Sequence, residues 1–318
     1  MRRRTVEQAF EDGRYLTGIV QGVRYLWTEA YAAAYLWLLR ASPRSSDGLV
    51  PWDAGDYELL VDLSDPGLSK QLLVDGPHEP AVVSAYREVL SPGATVVDVG
   101  ANIGYYALLA AATVGPSGEV HAVEPVRANA EILDRAREHN GFDNVTIHEV
   151  GLGATDGTRR IRLAPESNLG TMVALDSDRI DDDVGRSIAE GSTGTDEVQT
   201  RSLDSLAASA GCENWDVVRM DVQGMEPDVI EGMSRTAATV DPPAWVFVEV
   251  HTSMFDDVPA VVGSMIDTLT SRGFEPQTVI TGSGEVIDGF DSVEAFVAEI
   301  AAHDDRSPYA VLVNRGEE

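Results

Sequence analysis

From Thr95 onward, short runs of β-branched residues alternate with longer amphipathic stretches, and few folds accommodate that order. Thr95–Val99 predicts a strand, and Tyr105–Val114 a helix closed by Gly115 and Pro116. Glu119–Glu124 predicts the next strand, Arg127–Asn140 a helix with Gly141 just past its end, and Val145–Val150 a third strand. The pattern resumes with strands at Val217–Met220 and Trp245–Val250, helices around Pro227–Met233 and over Val258–Arg272, and a last strand at Tyr309–Val313. Strands separated by helices of about 10–15 residues imply an α/β fold: a doubly wound, mostly parallel sheet with helices on both faces. Tyr309–Val313 is expected to insert antiparallel near one edge.

Around this core the signals change. Tyr57–Leu63 is strand-like, Asp65–Gly67 a turn, and Glu79–Leu90 a helix stopped by Ser91-Pro92-Gly93. Asp156-Gly157 signals a hairpin between Val145–Val150 and Arg159–Leu163. Residues 176–198, acidic and rich in Ser, Gly and Thr, read as a solvated loop. Residues 1–50 read as a helical N-terminal extension, with Ser42–Gly48 as its linker, and 51–318 as the main domain. Within the extension, Tyr15–Arg40 concentrates Tyr and Trp, but its longest uncharged run, Ala30–Leu39, is about half of the ~20 residues a bilayer span needs. Such a helix packs on the main domain, self-associates with a second copy, or lies peripherally at a membrane surface.

Charge narrows the partners. The 318 residues carry 53 acidic against 23 basic side chains, a net −30, and Lys70 is the only lysine. A field this negative repels phosphates, so nucleic acid is not the expected substrate. The excess reads as an acidic, halophilic surface, whose self-repulsion is screened where the Debye length falls to about 3 Å in molar salt. The single cysteine, Cys212, excludes an intramolecular disulfide and any multi-cysteine zinc site. Glu7, Glu11, Asp12 and Arg14 interrupt the residues after Met-Arg-Arg-Arg before an apolar run begins, so the cytoplasm is the expected compartment.

The chemistry concentrates at Val96-Val-Asp98-Val-Gly100-Ala-Asn102-Ile-Gly104-Tyr-Tyr106, where a strand ends and a helix starts. Gly100 and Gly104 permit a sharp turn and close approach to a ligand, and the helix start offers free N–H groups. A dinucleotide site would place a third glycine here to cradle pyrophosphate. Asp98 instead repels a pyrophosphate and suits the amino or sulfonium end of S-adenosyl-L-methionine. Glu124, followed by Pro125, ends the next strand at the spacing where a carboxylate accepts hydrogen bonds from ribose hydroxyls. Together these describe an adenosine-binding crevice without a pyrophosphate clamp.

Seven segments in order make the chain resemble the FkbM family of S-adenosylmethionine-dependent methyltransferases over roughly residues 55–315. They are Val97–Tyr105, Val123-Glu-Pro125, Asn140-Gly141 with Asn144-Val145, Asp156-Gly157, Ser202–Leu206, Met220-Asp-Val-Gln-Gly224 and Glu249-Val-His251. The resemblance implies that Asp98, Gly100, Asn102 and Gly104 hold the methionine end of the cofactor and that Glu124 holds the ribose. It also implies methylation of hydroxyl groups, often on sugars or natural-product scaffolds. One position departs from the family pattern: Gln223 stands where the family usually has glutamate.

Asp221, Glu249 and His251 end two further strands on the carboxyl edge, where α/β enzymes place their ligands. They are the candidate catalytic residues, with Asp221 and His251 acting together on the proton of an acceptor hydroxyl. Glu249 and His251 share a face if both lie within the strand. The same three are the one set able to hold a divalent ion, although the sequence does not call for a metal. His121, mid-strand, reads as a packed core residue, and His78 as a loop residue near the site. The expected partner is a small-molecule or glycan acceptor. Two rivals remain: a nicotinamide-dependent oxidoreductase, disfavoured by Asp98 and the missing glycine, and a non-catalytic binding protein, favoured by Gln223.

Overall fold

The structure, a computed structural model, describes residues 48–65, 67–163, 194–303 and 307–316. The expected N-terminal helix and residues 176–193 of the expected acidic loop lie outside the described residues. Two strands, β1 (Leu49–Asp53) and β2 (Glu58–Asp62), form an antiparallel hairpin, so Leu49 and Val50, read with the N-terminal extension, belong to a strand. Helices α1 (Leu68–Val74) and α2 (Pro80–Val89) follow.

The expected alternation then appears. Strand β3 (Thr95–Val99) leads to α3 (Tyr105–Val114), β4 (Glu119–Val123) to α4 (Arg127–Asn140), and β5 (Val145–His148) ends the series. After an excursion come α5 (Leu203–Ala210), β9 (Val217–Met220), α6 (Glu226–Gly232), α7 (Ser234–Ala237), β10 (Ala244–Glu249) and α8 (Val258–Thr270). Strands β11 (Glu275–Ile280) and β12 (Val286–Asp288), helix α9 (Val293–Ala301) and β13 (Tyr309–Asn314) close the chain. The main sheet has the order β12-β11-β13-β10-β9-β3-β4-β5. Neighbours from β10 to β5 run parallel, and β13 inserts antiparallel between β10 and β11.

Burial explains the two-sided cover. Val96 packs into the core beneath α2 and α3, while Val97 and Val99 pack into the core beneath α5, α6 and α8. Strand alternation sends successive side chains to opposite faces, and here both faces are dry. Helix α3 is apolar nearly all round and buried along most of its length, as a helix enclosed on every side must be. The β1–β2 hairpin shares its core, and the Tyr57 hydroxyl donates to the Tyr105 carbonyl at 2.8 Å. Each of Leu108 and Leu109, taken out of water there, contributes about 1.5–3 kcal/mol.

The excursion corrects two expectations. Asp156-Gly157 does not join Val145–Val150 to Arg159–Leu163 as a hairpin. Strand β7 (Gly157–Leu163) pairs instead with β8 (Gly194–Arg201), and β6 (Gly151–Leu152) joins them in a separate three-stranded sheet. The Asp156 carboxylate accepts from the Ser202 N–H and the Ser205 hydroxyl, tying the loop to the start of α5. Residues 194–198, read as loop, are the first half of β8. Among the described side chains of that strand only Val198 and Thr200 are buried, too few to give an acidic stretch a visible period. No helix among the described residues is long and apolar enough to cross a membrane.

Candidate active site

The glycine turn sits where two strand ends nearly touch. Gly100 follows β3 with φ +79, and a Cβ there would lie 2.0 Å from the backbone oxygen of Asp221, just past β9. Only glycine permits that approach. Asn102 continues the turn in the left-handed region (φ 51), which Asn tolerates, and its side-chain oxygen accepts from the Ile103 N–H at 2.7 Å. The Asn102 N–H donates to Glu124 Oε2 at 2.8 Å. Glu124 Oε1 accepts from the Val126 N–H at 2.8 Å and, at the limit of reach, from Asn129 Nδ2 at 3.5 Å. A carboxylate offers about four lone-pair sites, so about one stays available at the cleft. Burial, opposed by those donors, raises the Glu124 carboxyl to about 7.

Gly100, Asn102, Glu124 and Pro125 line one cleft together with Asp221 and Gln223, and Val126, Val150 and Leu152 supply apolar wall. Asp98 and Gly104, expected at the methionine end, are not part of that lining. Asp98 points to the Val96 side of β3, where it is fully buried with Oδ1 3.4 Å from Arg219 Nη1 and Oδ2 unpartnered among the described residues. Burial raises its carboxyl to about 6 against the pull of Arg219. Gly104 caps the start of α3 in the left-handed region (φ +100), a conformation L side chains rarely adopt.

Arg219 organises the cleft's acidic end. It stands opposite Asp98 in β3 and Phe247 in β10, so it lies on the same sheet face as Asp98. It is 3% exposed, donates to Asp221 Oδ2 at 3.1 Å and to the Tyr309 hydroxyl at 2.6 Å, and lies 4.1 Å over the Tyr106 ring. The Tyr309 hydroxyl sits 3.0 Å from Glu249 Oε2 and 3.1 Å from Glu79 Oε2, and the Tyr106 hydroxyl donates to Glu79 Oε2 at 2.8 Å.

The three candidate catalytic residues do meet. Strand β10 stops at Glu249, so His251 is placed by the turn that follows, not by strand alternation. Its Nδ1 is 2.6 Å from Glu226 Oε1 on α6, and its Nε2 is 3.6 Å from both Asp221 Oδ1 and Glu249 Oε1. Burial would lower His251, but the carboxylates of Glu226, Glu249 and Asp221 outweigh it and push the ring up to about 10. The ring therefore holds a proton more tightly than an ordinary histidine, which makes it a poorer proton acceptor. Burial pushes Glu249 well above the carboxylate range, with Asp221 and Glu79 adding to it. Burial acts likewise on Asp221, but Arg219 and His251 hold it below its ordinary value. Gln223, in the left-handed region (φ 52), donates its amide to Asp221 Oδ1 at 3.2 Å, a contact an ionised glutamate cannot make.

Sequence reading missed Glu79, Tyr106, Arg219, Glu226 and Tyr309. Arg219 alone carried a signal: a charged side chain in the middle of Val-Val-Arg-Met is an anomaly in a strand buried on both faces. His121 is buried, as expected, with Nδ1 3.1 Å from His148 Nε2. His78 sits beside the site, its carbonyl accepting from the Tyr105 hydroxyl at 2.9 Å.

A cleft at the carboxyl edge of a doubly wound sheet, lined by a buried strand-end carboxylate, marks a class I methyltransferase fold. The Methyltransferase FkbM domain matches residues 98–276, more than half the chain, and the chain belongs to the FkbM methyltransferase family. Its similarity extends to an arsenite methyltransferase of Halobacterium salinarum, 30% identical over 198 residues, 60% of this chain and 42% of that protein. The 2-O-methyltransferase NoeI of Sinorhizobium fredii is 30% identical over 170 residues, 48% of this chain and 65% of that protein. The chain thus spans less than two thirds of either relative. A solved FkbM methyltransferase from Methylobacillus flagellatus superposes with a TM-score of 0.40 at 14% identity, covering 77% of this chain and 54% of that one. S-adenosyl-L-methionine is the cofactor of such a domain. The residues present fit it: Glu124 keeps an acceptor site for ribose, Val126 and Leu152 offer apolar wall to the base, and Asp221 and Gln223 supply polar groups at the other end.

Proposed function

We propose that the protein transfers the methyl group of S-adenosyl-L-methionine to a hydroxyl of a sugar, glycan or small metabolite. The observation that carries this reading is the double membership of Asp221. It lines the cleft, and it stands in the cluster with Glu249 and His251, so a proton-accepting carboxylate forms part of the cofactor cleft's own wall.

Bound cofactor supplies an electrophilic methyl carbon; the chain's residues do the rest. Glu124 accepts from the ribose hydroxyls, and the apolar wall excludes water around the base. Asp221 is placed to receive the proton the acceptor hydroxyl gives up as its oxygen–carbon bond forms. Positioning contributes on the order of 7–11 kcal/mol in favourable models, and a general base about 10²–10⁴-fold in rate. Buried Arg219 and His251 offset the charge of the carboxylates that hold this geometry.

An oxygen acceptor agrees with NoeI, named a 2-O-methyltransferase. A soft acceptor such as arsenite calls for thiolates. The chain has one cysteine, Cys212, whose buried thiol is pushed up to about 11, so this relative's acceptor is not carried over. The test is an acceptor screen in high salt with methyl-labelled cofactor, covering sugars, lipid-linked glycans and small alcohols, read by mass spectrometry. A gain of one methylene on a hydroxyl supports the reading. Tight cofactor binding with no product across the panel overturns it in favour of a binding protein.

A further inference from the structure

Three ligand-type atoms converge at the acidic end of the cleft. One oxygen each from Asp221 and Glu249 and one ring nitrogen of His251 lie within 4.8 Å of one another. His251 is only 6% exposed, yet its Nε2 makes no hydrogen bond among the described residues; its two nearest carboxylate oxygens both stand at 3.6 Å. A charge-assisted hydrogen bond would close to about 2.7–2.9 Å. Ligands about 2.1 Å from one ion, at angles of 90–110°, lie roughly 3.0–3.5 Å apart, and these spacings approach that range.

The other side of the ring points the same way. Nδ1 is 2.6 Å from Glu226 Oε1, and that oxygen also accepts from the Gly224 N–H at 3.0 Å. Glu226 is fully buried, and its Oε2 has no partner among the described residues. A carboxylate gripping one imidazole nitrogen while the other faces two more carboxylates is how metal-binding histidines are oriented. Charge balance asks for the same. Five carboxylates (Glu79, Asp98, Asp221, Glu226 and Glu249) share this largely buried network with three basic side chains among the described residues, Arg219, His251 and, 3.5 Å from Glu79, His78.

We propose that Asp221, Glu249 and His251 bind one divalent cation of the magnesium–manganese kind, with Glu226 as the positioning residue behind His251. Two carboxylate oxygens and one imidazole nitrogen suit such an ion and leave about three octahedral positions open. Those positions take water or an acceptor's oxygens, and a pair of neighbouring hydroxyls on a sugar ring is the chemical class that fills two of them. Resting on the hydroxyl-methylation reading, the cation would polarise the acceptor hydroxyl and ease loss of its proton to the Asp221 carboxylate oxygen that does not hold the ion.

The test needs neither cofactor nor acceptor. Chelator-stripped full-length protein is titrated with MnCl2 in 1 M KCl, which suppresses weak binding to surface acids, and free Mn2+ is followed by electron paramagnetic resonance. One equivalent is expected to bind, at least tenfold more weakly in Asp221→Asn and in His251→Ala, and about 10–100-fold more weakly in Glu226→Gln. Circular dichroism checks each variant's fold. In the wild type, Mn2+ should broaden the ring nitrogen signals of His251 before those of the other five histidines, a readout that needs no variant. No bound equivalent, unchanged affinity in folded variants, or an unbroadened His251 overturns the proposal. Cofactor binding is measured separately by calorimetry in EDTA: cofactor that binds there while the titration shows no bound Mn2+ sinks the metal site alone, and Mn2+ bound without methyl transfer to any acceptor sinks the function alone.

Discussion

Asn102 and Glu124 are 22 residues apart, joined through one strand–helix–strand unit, and their contact is a backbone N–H meeting a carboxylate. Arg219 and Asp98 are 121 residues apart, Arg219 and Tyr309 another 90, and Tyr309 and Glu79 fully 230. The cofactor side of the cleft is therefore a local construction, and the acidic side is a long-range one. Local geometry follows from residue types a reader can see: glycine, asparagine, and a carboxylate at a strand's end. The acidic side exists only because β3, β9, β10 and β13 come to lie side by side in an order the chain does not follow. The two sides should fail differently when cut.

The largest effect belongs to the long-range side. Arg219→Met removes a buried cation from a largely buried carboxylate network, and breaking such a pairing costs about 3–5 kcal/mol. Chemical denaturation should show that loss; a change below ~1 kcal/mol would mean the network holds little of the fold together. Next, Asp221→Asn should lower turnover by about 10²–10⁴-fold while weakening cofactor affinity less than Glu124→Ala does. Glu124→Ala should do the reverse, weakening cofactor affinity by roughly 10–150-fold, the equivalent of about 1.5–3 kcal/mol, in a folded protein. If both variants lose affinity alike, the division between the two sides is false.

Acidity separates them further. Burial raises Glu124 to about 7, so the folded protein holds this proton more tightly than the unfolded chain. Its contribution to stability therefore falls as pH rises from about 4.5 towards 7. Cofactor binding uses the ionised form, and affinity should drop by up to tenfold per pH unit below about 7. Glu124→Gln should flatten that profile, and calorimetry between pH 5 and 8 reads it. The smallest effect compares surface with interior. Moving from 0.1 M to 2 M KCl should raise the thermal midpoint of wild type and Arg219→Met alike, because salt screens exposed acids and barely reaches buried ones. The two rises should agree within roughly 2–4 °C, the shift that about 1 kcal/mol produces at this size.

Reading the chain alone located β3, α3, β4, α4, β9 and β10 within a residue or two, and the Gly100–Asn102 turn with Glu124. Each rests on neighbours in sequence: strand period, helix stops, and the φ preferences of glycine and asparagine. It also named Asp221, Glu249 and His251, because strand ends at a parallel sheet's carboxyl edge are where ligands go. Tertiary structure decided what these residues answer to. Gly100 is small because the Asp221 backbone presses against it. Asp98 turns away from the cleft to Arg219. The expected hairpin at Asp156 gave way to a pairing with β8, whose partner arrives after a long excursion. His251 is tied to Glu226, a residue on a different element. The physical reason is one of range: backbone preference and hydrophobic period act over a few residues, whereas a buried charge must be answered by whatever the fold brings beside it.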